Sequence, residues 1–147
     1  MIRKRRKTKN DPHARRAAGT GEPMISIDEM QAMLDEIAET FPREFFAQLN
    51  GGIVLMPKAK PDRRPGAQGL YVLGEYYSGG SLGRYIAIYY GSFARVYGHL
   101  PRGELKERLA ATLKHEFRHH LESLAGERSL IVEDEQFLAD YMRRRQS

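Results

Sequence analysis

The chain has 147 residues, enough for one domain with a buried core. It contains no cysteine, which excludes a disulfide framework and every thiolate metal site; any metal must rely on His and carboxylate ligands. The net charge of +5 comes from one end: residues 1–22 hold eight of the 24 Lys/Arg against Asp11 and Glu22, so residues 23–147 carry 16 basic and 17 acidic residues. The folded part is therefore near neutral, and its charge is no argument for nucleic-acid binding. The absence of cysteine is compatible with a reducing cytoplasm, the localisation expected. No apolar run approaches the roughly 20 residues that span a bilayer, and none follows the basic N-terminus as a signal core, so no membrane partner is expected.

Residues 1–23 are charged, poor in large apolar side chains and broken by Pro12, Gly19, Gly21 and Pro23, the composition of a disordered tail. Met24 begins the patterned sequence and is itself a candidate start; the other reading of the tail is a nucleic-acid-binding arm. A domain is expected over 24–147. Ser26-Ile27-Asp28-Glu29 forms a capping box, with Met30, Met33, Leu34 and Ile37 following at helical spacing. Pro42 breaks this helix and opens a short second one, Arg43–Leu49, which Asn50-Gly51-Gly52 stops. Ile53–Met56 reads as a buried strand and 57–69 as a Pro/Gly/Arg loop. Leu70–Tyr77 and Arg84–Tyr90 read as two antiparallel strands around a glycine-rich turn. Pro101 opens a long helix to about Ala125, with Gly126 just past its end, and Asp134 caps a last helix, about Glu135 to Arg144.

The long helix contains His115-Glu116-Phe117-Arg118-His119, an H-E-x-x-H. Imidazoles four residues apart share one helix face and can grip one Zn²⁺, and the adjacent glutamate can act as general base on a metal-activated water. On a helical wheel Leu105, Leu109, Leu113, Phe117, Leu121 and Leu124 form the apolar stripe, while Lys114, Arg118 and Glu122 point to solvent. His115 and His119 lie between these faces, and Glu116 falls on the side of the stripe, where a carboxylate needs a partner. His120 turns away by ~100° and reads as a packing residue.

The run Leu113–Leu121 resembles the signature helix of the minimal zincin-like bacterial metallopeptidases. Phe41-Pro42-Arg43-Glu44-Phe45-Phe46 with Ile53-Val54-Leu55, and Leu73-Gly74-Glu75-Tyr76-Tyr77 with Arg84–Tyr89, resemble that family's short helix, first strand and hairpin. The resemblance covers about residues 24–141. It implies an α+β fold, a short mixed or antiparallel sheet packed on the H-E-x-x-H helix. It also implies His115 and His119 as ligands of one zinc ion, Glu116 as catalytic base, and peptidase activity. Many members read H-E-x-x-H-x-x-G-x-x-D, with the Asp as third ligand; here Glu122 and Ala125 occupy the Gly and Asp positions. Reading across an insertion at Glu127–Val132 makes Asp134 the preferred third ligand, with Glu135 and Glu122 as alternatives.

The function expected is thus a zinc-dependent metallopeptidase acting on a peptide or protein substrate. An extended substrate would pair with an edge strand, and a tyrosine or His99 would steady the oxyanion. The competing expectation is a non-catalytic, zinc-stabilised binding module whose tail, 1–22, contacts nucleic acid or another acidic partner. His/carboxylate sites also take Mn, Co or Ni.

Overall fold

Ser26 starts the first helix, α1 (Ile27–Glu39), with both halves of the capping box: its hydroxyl accepts from Glu29 N at 3.1 Å, and the Glu29 carboxylate accepts from Ser26 N at 2.9 Å. Met30, Met33, Leu34 and Ile37 are the buried face of α1. The structure, a computed structural model, describes residues 24–146. The side chains at 128–135, 138, 145 and 146 lie outside that description, as does the expected tail at 1–23.

Pro42 caps a 3₁₀ turn, Arg43–Phe46, shorter than the expected helix to Leu49. Five strands follow: β1 (Gly52–Met56), β2 (Lys60–Pro61), β3 (Tyr71–Val72), β4 (Gly74–Tyr77) and β5 (Tyr85–Tyr89). β4 and β5 pair antiparallel, Gly74 opposite Ile88 and Tyr77 opposite Tyr85, as the turn chemistry predicts. β1 pairs parallel to β5 from Gly52↔Tyr85 to Met56↔Tyr89, giving a mixed sheet of order β1-β5-β4. β1 is only half-buried, because it is an edge strand, and this corrects the expectation of a buried strand. The segment expected as loop contributes β2, which joins β3 in a second, two-stranded sheet. The strand expected at 70–77 is divided into β3 and β4 at Leu73.

β5 is central and buried on both faces. Ile86 and Ile88 join the main core with α1 and the long helix; Ala87 and Tyr89 join a smaller cluster with Val72. Helix α2 (Tyr90–Tyr97) begins directly where β5 ends, with Gly91 against the chain that leaves β1. A Cβ at Gly91 would stand 2.4 Å from Ala59 N and 2.6 Å from the Lys58 carbonyl carbon.

The last helix, α3 (Arg102–Gln146), is 45 residues long. The Pro101 carbonyl accepts its first helical bond, from Leu105 N at 3.0 Å. The expected stop at Gly126 and the expected cap at Asp134 are both incorrect: the helix is continuous through them. An interior glycine costs a helix only about 1 kcal/mol relative to alanine. Residues 127–146 contain no Gly or Pro and are rich in Glu, Arg and Leu, and an Arg84–Glu127 ion pair fastens the turn just after Gly126. Of the expected stripe, Leu105, Leu109, Leu113 and Phe117 are fully buried, with Phe41, Phe45 and Phe46 around Phe117; Leu121 and Leu124 are half-buried. Among the described residues no helix is long and apolar enough to cross a membrane.

Candidate metal centre

The candidate site lies where β4 runs beside α3. Gly74 makes the approach possible: a Cβ there would stand 3.0 Å from Thr112 Cγ2 and 3.1 Å from Ile88 Cδ1. Two residues on, the Tyr76 hydroxyl meets His120 Nδ1 at 2.8 Å. β4 therefore tracks α3 from Thr112 to His120, and Glu116 occupies the turn between them, fully buried.

His115 and His119 point their Nε2 atoms at each other, 3.0 Å apart, with the rings nearly perpendicular at 86°. Two nitrogens bound to one tetrahedral zinc at about 2.0–2.1 Å stand roughly 3.3 Å apart, so the pair fits two positions of such a centre. His119 is buried and His115 half-buried. Glu122 reaches the other nitrogen of His119, Oε1 to Nδ1 at 3.3 Å. There it can fix the tautomer that leaves Nε2 as a ligand atom, the position of an orienting carboxylate rather than of a ligand. Asp134 and Glu135 lie on the same continuous helix, about 22 and 24 Å along its axis from His119 at 1.5 Å per residue; their side chains are outside the described residues. Among the described residues no third His, Asp or Glu joins the pair to make a group that could hold a metal ion.

His120 is the packing residue its angle predicts. Its Nε2 meets the Ala47 carbonyl at 2.8 Å and must therefore donate, which leaves Nδ1 to accept from the Tyr76 hydroxyl. Burial pushes its pKa down, so the neutral form is favoured. His120 thus ties α3 to β4 and to the chain after the 3₁₀ turn. The oxyanion expectation for His99 does not fit: it precedes Arg102, and His115 lies about 20 Å further along α3.

The opposite face of β4 carries a group that the motifs do not announce. Glu75, fully buried, accepts from Tyr89 at 2.7 Å, from Tyr77 at 2.8 Å and from Lys60 Nζ in a close ion pair. Burial pushes the Glu75 carboxyl up, but hydrogen bonds from Lys60, Tyr89 and Tyr77 together outweigh it and hold the group below the usual carboxylate range. Burial likewise lowers Lys60, and the Glu75 partnership more than reverses that, so its pKa is raised. Burial and the same neighbours push the Tyr89 hydroxyl well up. The available signal is a carboxylate inside an otherwise apolar and aromatic strand, which requires a cation.

Strand order, the mixed sheet and the flanking helices define a small α+β domain. No protein-family model matches the chain, and no curated protein does. Among solved structures it is similar to a conserved hypothetical protein from Thermus thermophilus, with 37% identity and a TM-score of 0.62, over 69% of this chain and 99% of that one. The chain belongs to the family of that protein.

Proposed function

We propose that the chain is a zinc-dependent metallopeptidase of zincin-like fold, with His115 and His119 as ligands of one zinc ion and Glu116 as general base. The observation that carries this reading is the convergence of the two Nε2 atoms at 3.0 Å on the helix that also buries Glu116. A zinc ion bound there supplies Lewis acidity towards a scissile carbonyl and makes water more acidic. Glu116 takes a proton from the attacking water and returns it to the leaving amine. Glu122 steadies His119 through Nδ1.

β4 can receive an extended peptide. Among the described residues only β5 pairs with it, and the Tyr89 N to Leu73 O bond sets the ladder so that Glu75 and Tyr77 bond to β5. The backbone groups of Gly74 and Tyr76 therefore face the outer edge, where a substrate strand would add. A third ligand from Asp134 or Glu135 requires α3 to fold back at Gly126, the only glycine in its C-terminal half.

Zinc content and hydrolysis of a peptide library test the proposal. Glu116→Gln should retain the metal and lose hydrolysis by about 10²–10⁴-fold, whereas His115→Ala should lose the metal. Unchanged hydrolysis in Glu116→Gln, or purification under non-chelating conditions with no bound metal, would overturn it.

A further inference from the structure

We propose that the groove beside His115 selects peptides with a large apolar residue next to an Asp or Glu, the apolar side chain seated in the groove and the carboxylate held by Lys114 and Arg118. The groove has a volume of about 660 Å³, within the roughly 300–1,000 Å³ usual for ligand sites. It runs along the outer face of α3 from Ala111 to Ala125, and His115 and Glu122 form the edge nearest His119. On a helical wheel at ~100° per residue, Arg118 and Lys114 stand about 60° and 100° from His115 on the side away from Glu116. β4 lies on the other side of His115, against Thr112 and His120. A peptide added to the outer edge of β4 therefore reaches this groove once it has crossed His115. The inference rests on the metallopeptidase reading only in placing the cut bond at His115.

The occupant follows from the lining. Phe45, from the 3₁₀ turn, and Leu121 give the groove an apolar wall, and the small side chains of Ala111 and Ala125 keep its ends open. The stems of Lys114 and Arg118 add apolar surface while their charged ends stay in water. Both residues are exposed, and among the described residues neither is in an ion pair. Glu122, the acid in the lining, is engaged by His119. An apolar seat beside two such cations suits an apolar side chain with a carboxylate next to it. The chain's own residues 1–22, with eight Lys/Arg against Asp11 and Glu22, have the wrong sign to fill it. The carboxylate belongs to a side chain rather than to a chain end. The groove continues about 6 Å along α3 before His115, to Ala111, and about 15 Å beyond it, to Ala125, so a bound chain runs on in both directions.

Fluorescence anisotropy on the full chain tests it, with Glu116→Gln so that the probe is bound without being cut. The probe is a rhodamine-labelled peptide amide of about ten residues in which a Phe-Glu pair stands among Gly and Ser. Changing its Glu to Gln should weaken binding about fivefold, an effect that fades at about 0.5 M salt. Changing its Phe to Ala should weaken binding by about tenfold or more. With Lys114→Glu and Arg118→Glu combined, a Phe-Lys probe should bind better than the Phe-Glu probe, a reversal that loss of folding cannot produce. In the wild type, kcat/KM should follow the same order of peptides. Equal binding of the Phe-Glu and Phe-Gln probes, or an order that the double variant leaves unchanged, overturns the proposal. So does tighter binding of a peptide that ends in Phe with a free carboxylate. Selective binding without any hydrolysis by the wild type upholds the groove and overturns the metallopeptidase reading; hydrolysis and binding indifferent to the Phe-Glu pair do the reverse.

Discussion

Lys60→Met removes the ammonium that pairs with a fully buried carboxylate and is the most exacting test of the second network. In the wild type Glu75 is held by the Lys60 ammonium and the hydroxyls of Tyr77 and Tyr89. Breaking a buried pair by removing one member costs about 3–5 kcal/mol. Lys60 is 23% exposed and two hydroxyls remain, which lowers the expected cost to about 2–3 kcal/mol at pH 7. For a domain of this size that is a fall in Tm of roughly 6–15 °C.

The pH dependence sharpens this test. The folded Glu75 carboxyl lies below its unfolded value of 4.5, so its contribution is present above that pH and is lost as pH falls through the folded pKa. Lys60 lies above 10.5 when folded, so its contribution is present below that pH and is lost as pH rises through the folded pKa. Without the ammonium, burial is less strongly opposed and Glu75 moves upward. The gap between wild type and variant should therefore narrow as pH falls from 7 to 4. Urea unfolding followed by tyrosine circular dichroism at several pH values measures it. A cost below about 0.5 kcal/mol at pH 7, or a gap that widens in acid, would refute the reasoning.

Gly126→Ala should stabilise the protein by up to about 1 kcal/mol, because the site is helical and a Cβ there meets nothing within 4 Å; a destabilisation of similar size would instead mean that the helix ends there in a left-handed cap. Gly91→Ala should have the opposite sign, costing about 2 kcal/mol or more in a thermal melt despite alanine's better helix propensity, since the new Cβ collides with backbone at Lys58 and Ala59.

What can be read in the sequence depends on how local the controlling interaction is. The start of α1, the β4–β5 hairpin and the shared face of His115 and His119 each rest on spacings of a few residues, and the structure has all three. β1 beside β5 cannot be read, because parallel pairing leaves no mark in either strand alone. Tyr90–Tyr97 continues the aromatic and small residues of β5, so nothing local marks the change from strand to helix. The end of α3 is hidden because Gly126 gives a local stop signal that the helix-forming residues after it override. The choice of Asp134 as third ligand depends on that stop.

The same mixed sheet has a kinetic consequence. Tyr77 and Tyr85 pair across eight residues, whereas Gly52 and Tyr85 are 33 apart, so docking β1 requires a longer loop to be closed first. The hairpin and the helix it lies against are then expected in the folding transition state, with β1 added late. Truncations at Ile86 should slow folding, and truncations at Val54 should mainly speed unfolding. Equal φ-values at the two sites would refute that order. If it holds, β4 and the part of α3 that carries His115, Glu116 and His119 are brought together before the sheet is complete.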